Sequence, residues 1–461
     1  MSELEPSASV MPVIAEYIGT AMTKELPLEV LEKTKFHFLD TVASMVSGSR
    51  MLAGERAIGF LQAQGPSAPQ SSVLGTRLKG TAINVAMVNG MFGHADETDD
   101  SHAESLTHPG CGIVASVLAC AELYQRRGLD MLKAMALGYD VCCRLTKSLH
   151  AYQFRVDGHS SHTFGPNFGA AAAAGALAGV NARQARYLLS YAAQQASGVA
   201  CWMRDKDHIE KAFDFGGMPA RNGVSAALMV IHGFTGVEDV FSGERNFYDA
   251  YGVDPLRHAL GEALGSRYEI MRTSIKRWTV GSPIQAPLDS LDTLMLEHPS
   301  LTAQWDRIKA IRVQIANESL SIVNNREMPE ICLQHLLALM LLDREMNFEL
   351  AHDRARMLDP RVLQLRSLIH LSGSDELSKE MPTRQGIVEI EFLSGERLLH
   401  HTKDVKGTPD NPMTRQELDR KCIQLMAPVL GQDRSAEICH EVWRLEHLKE
   451  ASTLAQLLQT P

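Results

Sequence analysis

The apolar residues of this chain change period twice, and that change constrains its fold more than any other feature. From residue 10 to about 265 the spacing is helical. Leu28, Leu31, Phe38, Val42 and Met45 recur after Pro27, a good first-turn residue, and Gly48 ends the run. Residues 129–148 and 183–200 predict two further helices. After about 266 the period becomes two. Ile311, Val313 and Ile315 alternate with Arg312 and Gln314, and Val388, Ile390 and Phe392 with Glu389 and Glu391. Ser394-Gly395-Glu396 then turns the chain into a second strand, Arg397 to Thr402. Helical segments are expected between these strands, at 331–342 and 361–371. Beyond the breaker Gly407-Thr408-Pro409-Asp410 the helical pattern returns. The expected fold is mainly α: a large all-helical domain built from both chain ends, 1–266 and 405–461, with an inserted smaller α+β lid domain over 267–404.

The chain has 461 residues, 45% of them apolar, enough to bury a large core. Gly169 to Val180 is almost all Ala and Gly, which permits close backbone approach and predicts a helix deep in a bundle. The net charge of −10 argues against a nucleic-acid binder and against an anionic membrane surface. No run reaches about 18 uninterrupted apolar residues, so no membrane-spanning helix is expected. The stretch MSELEPSASVMPVIAEYIG lacks a basic leader and a long apolar core, so it does not read as a signal peptide. None of the eight cysteines forms a C-x-x-C pair, and most lie in apolar helical stretches. A reducing cytoplasm is the expected setting.

Chemistry concentrates in Gly93 to Gly110, which holds three histidines and five carboxylates and no Lys or Arg. Like charges this close repel and disfavour a helix, yet the segments on both sides are apolar. Such a loop either points at water or lines a site. Histidine titrates near neutral pH, and a carboxylate can orient it or take its proton. Asp99, Asp100, His102 and His108 are also possible ligands for zinc, manganese or iron, although their spacing matches no standard metal motif. A solvated loop, a metal site and a metal-free acid–base site all remain open on these residues.

Positive charge that could converge on the loop lies in three segments. Asp157 to Gly165 carries His159 and His162 in a Gly-rich turn before the Ala-rich helix, where backbone N–H groups could face an anion. Arg204 to Gly217 contains Lys211. Ile275 to Pro283, with Lys276 and Arg277, sits where the helical pattern gives way to strands, a place suited to gripping a ligand. Together they point to a small carboxylate.

At these residues the chain resembles the MmgE/PrpD family, which includes 2-methylcitrate dehydratase, cis-aconitate decarboxylase and iminodisuccinate epimerase. Asp99-Asp100-Ser101-His102…His108-Pro109 is similar to the family's D-D-T-H…H-P signature, with Ser for Thr, and Glu97 stands where many members have Asp. His159…Thr163-Phe164-Gly165…Gly169-Ala170-Ala171 resembles H-x-T-x-T-x-G-x-x-G-A-A, with Ser161 at the first Thr. Lys211…Gly216…Gly223 resembles K-x-x-x-x-G…G with one extra residue. Lys276 opens a segment like K-P-Y-P-x-C…H-x-x-L-D that ends at Leu288-Asp289. Here Arg277-Trp278-Thr279 replaces P-Y-P, Gln285 stands where many members carry His, and Ser282 lies near the usual Cys. These departures leave methylcitrate and cis-aconitate both open as substrates.

The resemblance implies a homodimer and lyase or epimerase chemistry with neither metal nor cofactor. It makes His108 and His159 the acid–base candidates. Lys211 and Lys276 would bind carboxylate and stabilise charge, while Asp99 and Asp100 orient His and Lys. Glu97, Ser101, His102, Thr163, Arg277 and Gln285 complete the expected substrate contacts; His102 and His162 could instead only cap the loop. The reaction expected is dehydration or decarboxylation of a small di- or tricarboxylate. Epimerisation of an iminodisuccinate-like dicarboxylate is the alternative, and a metal-dependent hydrolase is a more distant one.

Overall fold

The computed structural model describes residues 9–460, so the first eight residues of the stretch read for a leader lie outside it. The chain divides into two units. The first takes the residues up to 95, then 99–273, then 415 onward; the second takes 96–98 and 274–414. The larger unit is thus built from both chain ends and the smaller one is inserted, as the change of period predicts.

The helices that matter for the site all lie in the larger unit. They are α1 (Leu28–Gly48), α2 (Ala82–Gly93), α3 (Pro109–Leu123), α4 (Gly128–Ser148), α5 (Ala151–Val156), α6 (Ser161–Ala178), α7 (Ala182–Gln194), α8 (Met218–Ile231) and α9 (Arg415–Leu430). From Pro109 to Ala121 every residue of α3 is buried, and so is α6 as far as Leu177, so these helices are enclosed on every face and form the centre of the bundle. The Ala-Gly composition of α6 is what lets α4 approach. A Cβ on Gly169 would lie 2.5 Å from the Gly138 carbonyl oxygen. All eight cysteines are free thiols, and all but Cys201 are buried. Among the described residues no helix is long and apolar enough to cross a membrane.

The smaller unit is α+β. Its sheet runs β2-β1-β3-β4, with β1 (Ile308–Ala316), β2 (Ile369–Ser374), β3 (Gly386–Phe392) and β4 (Arg397–Thr402). β1 pairs antiparallel with β3, Val313 opposite Val388, and parallel with β2, Ile311 opposite Ile369. Ile311, Val313 and Ile315 face a core shared with Leu288, Leu291, Leu336 and Leu337.

Three expected boundaries move. The helix expected over 183–200 stops at Gln194, before the chain turns through Gly198 at φ 131°, a conformation only glycine adopts readily. The helix expected over 361–371 is Pro360–Ser367, and Ile369 onward is the strand β2. The first unit continues through Thr273 because the Glu269 amide donates to Asp140 Oδ1 (2.6 Å) and Thr273 Oγ1 to the Glu269 carbonyl (3.0 Å). The second unit therefore runs from Ser274 to Thr414.

Candidate active site

The acidic loop does not point at water. His94, Asp96, Glu97, Asp99, Asp100, His102 and His108 are all buried. Buried carboxylates need partners, and the loop sorts its two adjacent aspartates in opposite directions.

Asp99 faces two imidazoles. Its Oδ1 lies 2.9 Å from His94 Nδ1 and 3.1 Å from His108 Nδ1. Burial alone would raise its pKa, but the two imidazoles outweigh burial and hold the carboxyl well below the usual range. Asp99 is therefore an anion that orients both rings and favours a proton on one of them. Asp100 points the other way, into the bundle. It takes the Tyr139 hydroxyl (2.6 Å), the Gly110 amide (3.0 Å) and His37 Nδ1 (2.7 Å). Burial pushes His37 down to about 4, so His37 is neutral and donates its Nδ1–H. Asp100 thus ties the start of α3, and with it His108, to α1 and α4. Below it Lys421 of α9 donates to Asp40 at 2.5 Å.

His108 and His94 converge on an aromatic ring that the sequence reading did not single out. Phe215 stacks on His94 with centroids 4.1 Å apart and on His162 at 4.0 Å, nearly parallel to the latter. His108 lies 5.3 Å from His162 and 5.4 Å from Phe215. His208 completes the group, 5.3 Å from His94. Trp202 stands edge-on to Phe215, and Lys211 Nζ lies 5.3 Å from the Phe215 centroid and 5.4 Å from that of Trp202. Burial, then the neighbouring His108 and Arg155 charges, hold His162 well below its ordinary pKa, so it is a neutral base.

Phe215 reaches this position from a π-helical turn, Phe213–Gly217, which joins the short helix bearing Lys211 to α8. A π-turn inserts an extra residue into a helix and often marks a functional site. Gly216 lets the turn touch α2, for a Cβ there would lie 2.0 Å from the Gly90 carbonyl oxygen. Asp214, one residue before Phe215, accepts a hydrogen bond from Ser160 Oγ, which in turn accepts one from Trp202 Nε1 (3.1 Å). Thr163 Oγ1 donates to the Asp214 carbonyl at 2.8 Å. Ser160 and Thr163 thereby fix the turn.

The structure brings Asp99, His108 and Lys211 together and places other expected residues elsewhere. His159 is half-buried, stacks on Phe154 at 4.4 Å and meets Tyr251 edge-on at 6.0 Å. The ring beside His108 is that of His162. Thr163 holds backbone, and His102 lies 3.3 Å from Glu269 while the Ser105 amide donates to its Nδ1. Ser101 is half-buried in the loop. Glu97 belongs to the second unit, where Lys276 Nζ donates to its carbonyl at 2.5 Å. Arg277 pairs with Asp289 (3.1 Å) and Asp292 (2.6 Å) and lies over Trp278. Gln285 spans the same segment, accepting from the Trp278 amide and donating to the Trp278 and Val280 carbonyls. His94, His208, Trp202 and Phe215 were not picked out from sequence. His94 had a signal, since it stands within the charged stretch.

Among the described residues of the first unit, two clusters have ligand atoms close enough to hold a metal ion. In the first, His94, Asp99 and Cys111 offer atoms within 4.8 Å of one another. His94 Nδ1 already faces Asp99, and the Cys111 thiol donates to the His108 carbonyl (3.2 Å). Burial and the nearby aspartates raise that thiol well above its ordinary pKa, so it stays protonated. Ligation needs the thiolate. In the second, His102, Glu104 and Glu269 face Lys147, Arg144, Arg267 and Arg272, which already balance the carboxylates. Both donor sets suit hydrogen bonding better than metal ligation.

A buried Asp–His pair, a neutral histidine and a lysine over an aromatic floor are groups able to exchange protons and to face an anion. Comparison with known proteins gives the family. The MmgE/PrpD N-terminal domain model matches residues 13–257 and the C-terminal domain model residues 278–445. The chain belongs to the MmgE/PrpD family. It is 24% identical to a cis-aconitate decarboxylase of Aspergillus terreus over 98% of this chain and 96% of that protein. It is 23% identical to the cis-aconitate decarboxylase-like protein oryM of Aspergillus oryzae over 99% of both. With a cis-aconitate decarboxylase of Mus musculus it shares 22% identity over 82% of this chain and 78% of the other.

Proposed function

We propose that this protein is a lyase acting on a small di- or tricarboxylate, by acid–base chemistry that needs neither metal nor cofactor. The observation that carries the reading is the Asp99–His108 pair set 5.3 Å from the neutral ring of His162, with Lys211 over the same Phe215. In decarboxylation of an unsaturated acid, the bond to the departing carboxylate breaks and its electron pair enters the conjugated system of the remaining acid. His108, held as imidazolium by anionic Asp99, returns a proton to carbon, and carbon dioxide leaves. In dehydration, neutral His162 takes the proton next to a carboxylate, and His108 protonates the departing hydroxyl as water. Lys211 offers positive charge to the substrate carboxylate and to the electron density that spreads onto it.

The names of the relatives favour decarboxylation of a cis-aconitate-like acid. The test is a panel of citrate, 2-methylcitrate, cis-aconitate, tartrate and iminodisuccinate, read by carbon dioxide release, absorbance and optical rotation. Carbon dioxide or water loss from one member supports the lyase. Deuterium uptake from solvent with inversion and no net loss would make the protein an epimerase, and no change in any member would end the carboxylate reading. The family likeness also supports a homodimer, which sedimentation would test.

A further inference from the structure

Asp99 holds two imidazoles through one shared oxygen. His94 brings its Nδ1 to both carboxylate oxygens, 2.9 Å from Oδ1 and 3.0 Å from Oδ2. His108 Nδ1 lies 3.1 Å from the same Oδ1. An ionised carboxylate only accepts, so each Nδ1 carries a hydrogen and donates it. Two donors thus divide the charge of one anion.

The rest of the His94 ring is fixed. It follows the last residue of α2 and is wholly buried. Phe215 stacks on it at 4.1 Å with 23° between the planes. His108 stands edge-on at 4.9 Å, and His208 lies at 5.3 Å. His94 Nε2 is buried and neither gives nor takes a hydrogen bond among the described residues. Buried polar atoms are nearly always partnered, and leaving one unpartnered is costly. An apolar ring of the same size would fill this place without that cost. What it would lack is the Nδ1–H on Asp99.

Several elements face His108. Asp99 is the anion at its Nδ1. His162 of α6, 5.3 Å away, is neutral. Lys211 stands over the Phe215 ring that His108 also meets. The Cys111 thiol donates to the His108 carbonyl and stays protonated. The N-terminus of α3, which begins at Pro109, turns its positive dipole end toward His108. Asp100 is turned away, toward His37 and Tyr139. Among these groups the anion that favours a proton on His108 is the one already shared with His94.

We propose that His94 is a positioning residue that tunes the acid: by taking part of the Asp99 charge, it loosens the proton that His108 must deliver. The inference rests on the acid role of His108 in the proposed reaction. A general acid works best when its proton affinity lies near the working pH. An undivided carboxylate at Nδ1 favours the imidazolium strongly, and a second donor on the same oxygen weakens that hold.

The experiment follows the titration of His108 by NMR of histidine-labelled protein without substrate. The signal is assigned by its loss in His108→Gln. The alkaline limb of the pH–rate profile is read alongside, with whichever acid of the panel turns over. His94→Phe keeps a ring on Phe215 and removes the donor. The His108 midpoint should then rise by roughly one pH unit, and the alkaline limb with it. Removing the carboxylate instead, in Asp99→Asn, should move the midpoint the other way. His94→Asn, whose side-chain amide can place an N–H near the position of Nδ1–H, should restore most of the wild-type midpoint. His94→Leu replaces His94→Phe should the latter not fold. A midpoint that stays or falls in the folded Phe or Leu variant overturns the role of His94, and so does failure of Asn to restore it. No turnover of any panel acid by the wild type would overturn the lyase. The NMR midpoint needs no substrate and separates that failure from this one.

Discussion

Replacing Asp99 by Asn tests the centre of the site with almost no change of shape. Asp99 is wholly buried and receives Nδ1 of His94 and of His108 at 2.9 and 3.1 Å. Asn can still accept one of these bonds, but its NH2 group faces the other ring and its charge is gone. Each charge-assisted bond has a typical strength of about 1.5–3 kcal/mol. Loss of one such bond corresponds to roughly ten- to hundredfold, and the imidazolium on His108 loses its counter-charge as well. General acid catalysis is typically worth roughly 10²–10⁴-fold, so kcat in Asp99→Asn should fall by about 10²–10³-fold. The acid on His108 becomes stronger, so the alkaline limb of the pH–rate profile moves to lower pH. Stability carries its own sign. The Asp99 carboxyl titrates lower in the native protein than the ordinary 3.8. Its stabilising contribution is present above about pH 4 and is lost as pH falls below that value through the native pKa. The variant should lack that component of the acid loss. Turnover within about threefold of wild type, with an unmoved alkaline limb, would refute the acid–base role of the pair.

His162→Asn should lower the rate of a reaction that begins by proton removal by roughly 10²-fold, and should remove the acidic limb set by this depressed base, as a pH–rate profile would show. His159→Asn, whose ring packs on Phe154, should retain most activity in the same assay. Lys211→Met should raise KM about ten- to hundredfold with a secondary effect on kcat, read by steady-state kinetics over a range of salt. Gly216→Ala drives a methyl group against the Gly90 carbonyl, and chemical denaturation should show a loss of about 1–3 kcal/mol or more.

Much of this site could be read before its folding was known, because charge between two buried apolar segments has few places to go. Asp99 and His108, from the charged stretch, and Lys211, from a separate segment, lie around Phe215. The choice between His159 and His162 was beyond sequence. The first forms a bridge with Val199 just before α6, the second lies on the first turn of that helix, and only the arrival of Phe215 decides which ring stands beside His108. Phe215 itself reads as an ordinary core residue. The π-turn that presents it depends on Gly90 and Gly216 meeting across distant segments. Strand β2 was hidden for another reason. Its burial does not alternate, and as the edge strand parallel to β1 it has no hairpin turn to announce it.

The Lys421–Asp40 contact fixes when the larger unit can be complete. Asp40, on α1, is wholly buried and lies close enough to Asp99 and Asp100 to feel both. Its cation arrives on α9, after the entire inserted unit has been synthesised. A nascent chain stopped at residue 273 would hold Asp99, His108, His162 and Lys211, yet would lack both the Lys421 partner of Asp40 and the helix that packs beside it. The segment that the family's N-terminal domain model matches, 13–257, ends before α9, which carries the partner of Asp40. Synthesis must reach α9 before the floor beneath the histidines closes.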